Sequence, residues 1–292
     1  MAKFVLSAFA DEAGNSLAEQ IAGLKRNGIN YIEPRSIDAK GILEFSDEEI
    51  LAIKAELDKN GIKVGSLGSP IGKYDITGDF EPHYNKFIRA LEICNLLDTK
   101  YMRMFSFFIK DGDYAKWRGE VIRRLTVMTK EAEKYGVTLC HENESHIYGQ
   151  MPKEVNDLLT SVPALGGIFD AANYRMHDAD VIEGIKATFN NFKYMHIKDA
   201  IFASQEVVPA GEGEGKIAEI LNYIDENTDA EVFLTLEPHL FVFGVYKAID
   251  TKELKGKHHF ETSEQSFDFA ANALKNLLTD LGFKECDGKW TR

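Results

Sequence analysis

Short apolar segments alternate with longer amphipathic segments along most of this 292-residue chain, and this alternation limits the possible fold more than any other feature. Eight apolar segments have the length of β-strands, and a helical pattern follows each of them. The predicted strands are 4–10, 31–35, 63–69, 101–107, 138–143, 167–171, 194–199 and 232–239. The predicted helices are 16–27, 46–60, 81–97, 114–135, 152–161, 179–188, 215–227 and 263–281.

Several of the predicted helix boundaries carry recognisable signals. Ser16 with Glu19, and Ser46 with Glu49, have the spacing of capping boxes, in which each residue caps the backbone N–H of the other. Gly28 follows the end of the first predicted helix, where a left-handed conformation costs glycine no steric penalty. These signals support the alternation of strands and helices.

Eight strands, each followed by a helix, predict an α/β fold with one (β/α)8 TIM barrel over residues 1–292. An open doubly wound sheet is the alternative, but it usually carries a glycine-rich phosphate loop after its first strand. Here that position holds Asp11 and Glu12 with a single glycine, which favours the barrel. A long segment, 240–262, follows strand eight, and a polar tail, 285–292, ends the chain. The polarity of the tail favours disorder.

The charge and the cysteine spacing exclude several classes of protein. The formal net charge of -13 disfavours nucleic acid as a partner, because the chain repels a phosphate backbone. No apolar stretch approaches the roughly 20 residues that cross a membrane, so no membrane association is predicted. Cys94, Cys140 and Cys286 are widely spaced, which indicates reduced thiols and a cytoplasmic location.

Polar residues interrupt four consecutive predicted strands near their carboxyl ends, although strands of a parallel barrel are normally almost entirely apolar. They are Glu142, Asp170, His196 and Glu237. Barrel enzymes place their chemistry at this end of the strands. Since side chains alternate along a strand, each of these residues can point toward the barrel axis.

Three carboxylates that meet in one place repel each other and lose hydration, and a divalent cation resolves both problems. Oxygen and nitrogen ligands without thiolate suit Mn²⁺, Zn²⁺, Co²⁺ or Mg²⁺. The sequence therefore predicts one divalent metal ion. The alternative for each acidic residue is a lone strand-end position, capped by a helix N-terminus or paired with Lys198 or Arg103.

The ordered set of motifs resembles the xylose-isomerase-like TIM-barrel superfamily of sugar-phosphate isomerases and epimerases. The matching segments are 137–143, 168–173, 196–199, 209–215 and 236–238. The resemblance covers nearly the whole chain. It implies that one divalent metal ion is bound by Glu142, Asp170, His196 and Glu237.

In the ketose epimerases of this superfamily, the two ligand glutamates are also the acid/base pair. The resemblance therefore implies that Glu142 and Glu237 are catalytic, flank the substrate carbon and move a proton through a metal-stabilised cis-enediolate. Return of the proton to the opposite face gives epimerisation, and its return to the neighbouring carbon gives isomerisation. The implied function is a metal-dependent isomerase or epimerase of a sugar, sugar phosphate or polyol.

Further polar residues near the strand ends are candidates for binding a small-molecule carbohydrate substrate. They are Glu33, Arg35, Arg103, Asn173, Lys198, Asp199 and His239. Asn173 departs from the superfamily, in which many epimerases have a histidine at this position. For Glu33 and Arg35 a salt bridge at the barrel mouth is an equal alternative, and Arg103 faces either the pocket or the helix layer.

Three other functions stay open at this point. An inosose-type dehydratase would use the same metal site but expel a β-hydroxyl group, and a sugar-binding barrel would not turn over its ligand. An endonuclease is disfavoured by the acidic charge and by the lack of the additional ordered histidines. The apolar start of 240–262 fits either a lid or an interface of a homo-oligomer.

Overall fold

The structure is a computed structural model and describes residues 1–241 and 258–292. Its central element is a parallel sheet whose strands we number in chain order. They are β1 Lys3–Ala8, β2 Tyr31–Ile32, β3 Lys63–Val64, β4 Tyr101–Met104, β5 Thr138–Glu142, β6 Gly166–Asp170, β7 Phe192–Ile197 and β8 Glu231–Leu236. The predicted segment 240–262 lies outside the described residues except at its two ends.

The strands pair in chain order, and β8 pairs with β1, so the sheet closes on itself. The link between β3 and β4 is a single parallel bridge between Leu67 and Met102. Two backbone hydrogen bonds flank it, from Leu67 N to Tyr101 O and from Arg103 N to Leu67 O. The predicted (β/α)8 barrel is confirmed.

Strand β2 is shorter than the predicted 31–35. Glu33 still donates its N–H to the carbonyl oxygen of Ala8 at 2.9 Å. The next residue is Pro34, which has no N–H to donate and ends the ladder. The chain then turns through a small hairpin that pairs Ser36–Ile37 with Lys40–Gly41.

The helices cover the outside of the barrel. They are α1 Leu17–Arg26, α2 Asp47–Lys59, α3 Phe80–Leu96, α4 Tyr114–Lys134, α5 Pro152–Ser161, α6 Ala171–Arg175, α7 Val181–Phe189, α8 Ile217–Asn227 and α9 Ser263–Asp280. Both predicted capping boxes are present, at Ser16 and Ser46. None of the helices in the described ranges is long and apolar enough to cross a membrane.

The carboxyl-terminal tail forms a hairpin, contrary to the disorder that its polarity favours. Lys284–Cys286 pairs antiparallel with Lys289–Thr291. The second of these strands also pairs antiparallel with β1, where Trp290 lies opposite Phe4. Since β8 occupies one edge of β1 along its whole length, the hairpin fills the other edge, below the short β2. Trp290 is buried and anchors this hairpin against the barrel.

A layer of side chains fills the barrel beneath its carboxyl-terminal mouth. It contains the buried Cys140, Ile168 and Tyr194, with Tyr101 and Phe233 packed against them. Cys140, Ile168 and Tyr194 precede Glu142, Asp170 and His196 by two positions, so each of them shares the inward face of its strand with the polar residue. The layer closes the bottom of the site.

A buried histidine in α3 gives the folded state a pH dependence. His83 Nε2 accepts the N–H of Gly72 at 3.1 Å, and its ring stacks on Tyr74 with a centroid distance of 4.7 Å. Burial, helped by the charges of Lys86 and Arg124, lowers the pKa of His83 to about 4. The unfolded chain takes up this proton below its ordinary pKa of about 6.5. The free energy of unfolding therefore falls as the pH decreases from about 6.5 to about 4.

We expect the stability advantage of the wild type over His83→Gln to shrink by roughly 2 kcal/mol between about pH 7.5 and about pH 4.5. Glutamine cannot take up a proton, so the variant lacks this contribution. Urea unfolding of both proteins at each pH measures the difference. A stability gap that is the same at the two pH values would contradict the assignment.

Candidate metal centre

Four polar side chains converge at the carboxyl-terminal mouth of the barrel. Glu142 ends β5, Asp170 ends β6, His196 lies in β7 and Glu237 follows β8 directly. One potential ligand atom from each lies within 4.8 Å of the others, and all four residues are buried. The structure thus brings together the complete set of four residues that the sequence singled out.

His196 shows that this cluster fits a metal ion. Its Nδ1 atom lies 3.1 Å from Glu142 Oε1 and 3.4 Å from Glu237 Oε2. Within the described residues, this buried nitrogen has no hydrogen-bond partner of acceptable geometry. A buried nitrogen beside two carboxylate oxygens from different strands is the kind of group that a cation satisfies. One nitrogen and three carboxylates suit Mn²⁺, Zn²⁺, Co²⁺ or Mg²⁺.

Two of the carboxylates share a buried lysine. Lys198 Nζ lies 2.9 Å from Asp170 Oδ2 and 3.4 Å from Glu237 Oε2. Lys198 is two residues beyond His196, so strand alternation directs both side chains into the barrel mouth. The ammonium group offsets part of the negative charge of the cluster.

The two glutamates are held in matching ways. Each has one oxygen near His196 Nδ1 and the other on a guanidinium group. Glu142 Oε2 lies 3.3 Å from Arg103 Nη1, and Glu237 Oε1 lies 3.1 Å from Arg35 Nη1. Both guanidinium groups contact the ring of Phe9, with Cζ-to-centroid distances of 4.7 Å for Arg103 and 4.4 Å for Arg35. Arg103 therefore faces the pocket and not the helix layer.

The surrounding cations keep both glutamates charged. Burial raises the pKa of Glu142, but the charges of His196 and Arg103 outweigh it and lower the value to about 2. Burial also raises the pKa of Glu237, and Lys198 with the neighbouring cations brings it well below its ordinary range. For His196, burial lowers the pKa, whereas Glu142 and Glu33 raise it to about 10.

A second group of potential ligands lies beside the first and was not predicted. Glu12, Glu237 and His239 also place one atom each within 4.8 Å of one another. Arg35 offsets part of the negative charge of this group, because Nη2 lies 3.2 Å from Glu12 Oε1 and Nη1 contacts Glu237. The signal for Glu12 was present, since the Asp11-Glu12 pair follows the first strand directly.

The pocket above the cluster has mostly charged walls. It is lined by Lys73, Arg103, Glu142, Glu144, Ala172, Asn173, Met176, Lys198, Val207, Glu237 and His239. Asn173 donates from Nδ2 to Glu142 Oε1 at 3.3 Å and to the carbonyl oxygen of Asn143 at 2.8 Å. Lys73 and Glu144, which the sequence analysis missed, form an ion pair of 3.0 Å.

Three of the seven predicted substrate-binding residues do not line this pocket. Glu33 is completely buried below His196. Arg35 forms ion pairs with carboxylates at the barrel mouth, which is the alternative that the sequence left open. Asp199 turns away from the cluster, as strand alternation after Lys198 requires.

Asp199 organises the glycine-rich loop after β7. Its carboxylate oxygens accept the backbone N–H groups of Gly211, Gly213 and Gly215 at 2.8 to 3.1 Å, and that of Ala200 at 2.9 Å. A side chain on Gly213 would collide with this carboxylate, since a Cβ atom there would lie 2.3 Å from Asp199 Oδ1. Loop and carboxylate therefore fit each other closely.

We expect Asp199→Asn to lower the free energy of unfolding by about 1–3 kcal/mol, because one acceptor oxygen becomes an NH₂ group that faces backbone donors. Urea unfolding measures the loss, and hydrogen exchange at the amides of Gly211, Gly213 and Gly215 should become faster. Asp180→Asn is the matched control. Asp180 caps α7, and asparagine caps a helix nearly as well. Equal losses in both variants would contradict this role of Asp199.

Comparison with known proteins places this sequence in a family. Residues 21–241 match the family model for the xylose isomerase-like TIM barrel. The chain belongs to this family. No curated protein matches the sequence.

Solved structures share the fold at low sequence identity. A D-psicose 3-epimerase in the presence of D-fructose superposes with a TM-score of 0.71 at 19% identity, covering 95% of this chain and 99% of the other. The probable 3-DHS dehydratase AsbF from Bacillus anthracis gives 0.71 at 15% identity, covering 94% and 99%. The IolI protein with a bound zinc atom gives 0.70 at 17% identity, covering 96% and 99%. At these identities the likeness establishes the fold alone.

Proposed function

We propose that this member of the xylose isomerase-like family is a divalent-metal-dependent isomerase or epimerase of a sugar or polyol derivative. Glu142 and Glu237 form its acid/base pair. The observation that carries the proposal is their matched setting around His196, with an arginine behind each carboxylate.

Four residues would hold the metal: Glu142, Asp170, His196 and Glu237. When bound, the ion supplies Lewis acidity that polarises the substrate carbonyl and makes the neighbouring C–H bond more acidic. The orphaned Nδ1 atom of His196 and the choice of donor atoms support this assignment.

The two glutamates would move the proton. Glu142 and Glu237 come from different strands, and each is kept ionised by its own cations. One carboxylate takes the proton from the carbon beside the carbonyl, which leaves an enediolate, and the other returns a proton from its own side. Arg103 and Arg35 fix the orientation of the carboxylates so that little reorganisation is needed.

The remaining polar side chains of the pocket would bind hydroxyl groups. Arg103, Asn173, Lys198 and His239 all line it. The D-psicose 3-epimerase with D-fructose supports a carbohydrate substrate, and the IolI protein with its zinc atom supports a divalent metal. The dehydratase AsbF has the same TM-score as the epimerase, which keeps a lyase as the second candidate, since dehydration can begin with the same proton removal.

The test combines metal analysis with solvent exchange. We expect about one Mn, Co, Zn or Fe per chain by elemental mass spectrometry, or retention of added Mn²⁺. Metal-loaded protein in D₂O is then incubated with ketoses, ketose phosphates and cyclic polyol ketones. We expect the substrate to incorporate deuterium at the carbon beside its carbonyl group and not to lose water.

The other outcomes separate the alternatives. An enone absorbance with loss of water would identify the lyase. Saturable sugar binding without any deuterium incorporation would identify a sugar-binding barrel. Failure to bind Mn²⁺, Zn²⁺, Co²⁺ or Mg²⁺ in direct titrations would overturn the proposed function.

A further inference from the structure

Beneath the candidate metal centre, a fourth carboxylate, that of Glu33, contacts the far side of His196. We propose that Glu33 is a positioning residue, which holds the proton of His196 on Nε2 and so presents the lone pair of Nδ1 to the metal. This inference rests on the proposed metal site. It assigns to Glu33 a role other than the substrate contact that the sequence predicted.

The first support is the placement of Glu33. Its side chain is completely buried, and its Oε2 atom lies 3.5 Å from His196 Nε2. Within the described residues, Oε2 has no hydrogen-bond partner of acceptable geometry. The opposite ring nitrogen of His196 contacts Glu142 and Glu237. The imidazole therefore lies between the carboxylate of Glu33 on one side and the ligand cluster on the other.

The second support is a directional hydrogen-bond chain below Glu33. Tyr194 donates its hydroxyl proton to Glu33 Oε1 at 2.9 Å, and Ser66 Oγ lies 2.7 Å from the same hydroxyl oxygen. A tyrosine hydroxyl has one proton, so Ser66 must donate to Tyr194. These hydrogen bonds thus run from Ser66 through Tyr194 to Glu33 Oε1. They leave Glu33 Oε2 available as a hydrogen-bond acceptor for the N–H group of His196.

The third support is the confinement of the imidazole ring. The rings of Phe9 and Tyr194 contact it edge-on, with centroid distances of 5.0 Å and 5.6 Å. These buried side chains restrict rotation of the imidazole ring. A neutral imidazole carries one proton, and when that proton is on Nε2, the nitrogen beside Glu33, Nδ1 is the nitrogen available as a ligand. Histidine ligands in metal sites commonly donate their other N–H to a carboxylate in this way.

The decisive experiment measures metal affinity in a double-mutant cycle of Glu33→Gln and His196→Ala. Affinity for Co²⁺ is obtained by competition with a chelator, independently of any activity. We expect Glu33→Gln to weaken Co²⁺ binding by about 10–100-fold and to shift the visible absorption bands of the bound ion. In the His196→Ala background, the same substitution should have little effect, because its target is gone.

A charge control accompanies the cycle. Asp11→Asn removes another buried carboxylate of the barrel mouth, one that pairs with Arg35 and does not touch His196. We expect it to retain most of the affinity. The proposal would be overturned if Asp11→Asn lost as much Co²⁺ affinity as Glu33→Gln. It would also be overturned if Glu33→Gln had its full effect in the His196→Ala background. Either result would mean that Glu33 acts only through its charge.

A measurement on the wild type covers the case in which Glu33→Gln does not fold. In Zn²⁺-loaded protein with ¹⁵N-labelled histidine, we expect His196 to show a protonated Nε2 and a metal-bound Nδ1. The reverse assignment overturns the inference. If the wild type binds no metal, both the proposed function and this inference fail. If the wild type binds metal tightly and Glu33→Gln binds it equally tightly, only the inference fails.

Discussion

Glu237→Gln is expected to lower kcat by about 10³-fold even at saturating metal, because under the proposed function it removes one of the two groups that transfer the proton. Gln keeps the size of the side chain and retains an oxygen that can bind a metal, but it cannot act as a base at neutral pH. Turnover and deuterium incorporation, measured over a range of Mn²⁺ concentrations, separate the loss of catalysis from the loss of metal.

Asp170→Asn is the matched control for this prediction. Asp170 belongs to the same cluster, but it pairs with Lys198, and among the described residues no arginine forms an ion pair with it. We expect Asp170→Asn to weaken metal binding and to recover much of its turnover when metal is added in excess. If both variants remain equally inactive at saturating metal, the distinction between the acid/base pair and a simple ligand is wrong.

If the enzyme is an epimerase, Glu142→Gln and Glu237→Gln should differ in which epimer exchanges its proton with solvent. Each variant keeps one base, so each should still exchange the proton of one epimer with solvent and lose exchange with the other. Opposite preferences in the two variants would support proton transfer on two faces. Identical preferences would indicate that one carboxylate acts alone, as in isomerisation.

Lys198→Met is expected to lower the free energy of unfolding of the metal-free protein by about 3–5 kcal/mol. Lys198 is buried and contacts both Asp170 and Glu237. Methionine fills a similar volume but leaves the two carboxylates without this compensating charge. A divalent cation replaces that charge, so saturating Mn²⁺ should recover much of the lost stability. Urea unfolding with and without Mn²⁺ measures both effects.

Lys73→Met provides the comparison. Lys73 also lines the pocket, but it pairs with Glu144 near the surface, where the two side chains are 32% and 22% exposed. A partly exposed pair contributes at most about 1 kcal/mol. A loss in Lys198→Met no greater than in Lys73→Met, or no recovery with Mn²⁺, would show that Lys198 does not carry the compensating charge.

The limits of prediction from sequence are clear in the secondary structure. Alternation of apolar and amphipathic segments identified all eight barrel strands, because this pattern reflects burial by the barrel and its helix layer. It overestimated β2, where Pro34 removes a donor, and it missed the short helix α6 after Asp170. The hairpin formed by 284–291 was also missed, because its pairing with β1 joins opposite ends of the chain.

The sequence likewise predicted some features of the site and missed others. Strand alternation correctly turned Glu142, His196 and Glu237 inward and, applied strictly, would have turned Asp199 outward. It did not distinguish a pocket wall from a buried support. Glu33 points inward, yet it contacts His196 from below. There it accepts a hydrogen bond from Tyr194 of β7, which is in turn bonded to Ser66, two residues beyond β3.

The sequence alone determined which residues are inward and which strand ends carry charge, since both follow from local periodicity and chain order. It therefore determined the barrel and the four residues of the candidate metal centre. Only the tertiary structure decided which groups neutralise one another. The pairing of Arg103 with Glu142, and of Arg35 with Glu237, joins residues 39 and 202 positions apart. Such pairings depend on how eight strands close around one axis, and no local pattern encodes that closure.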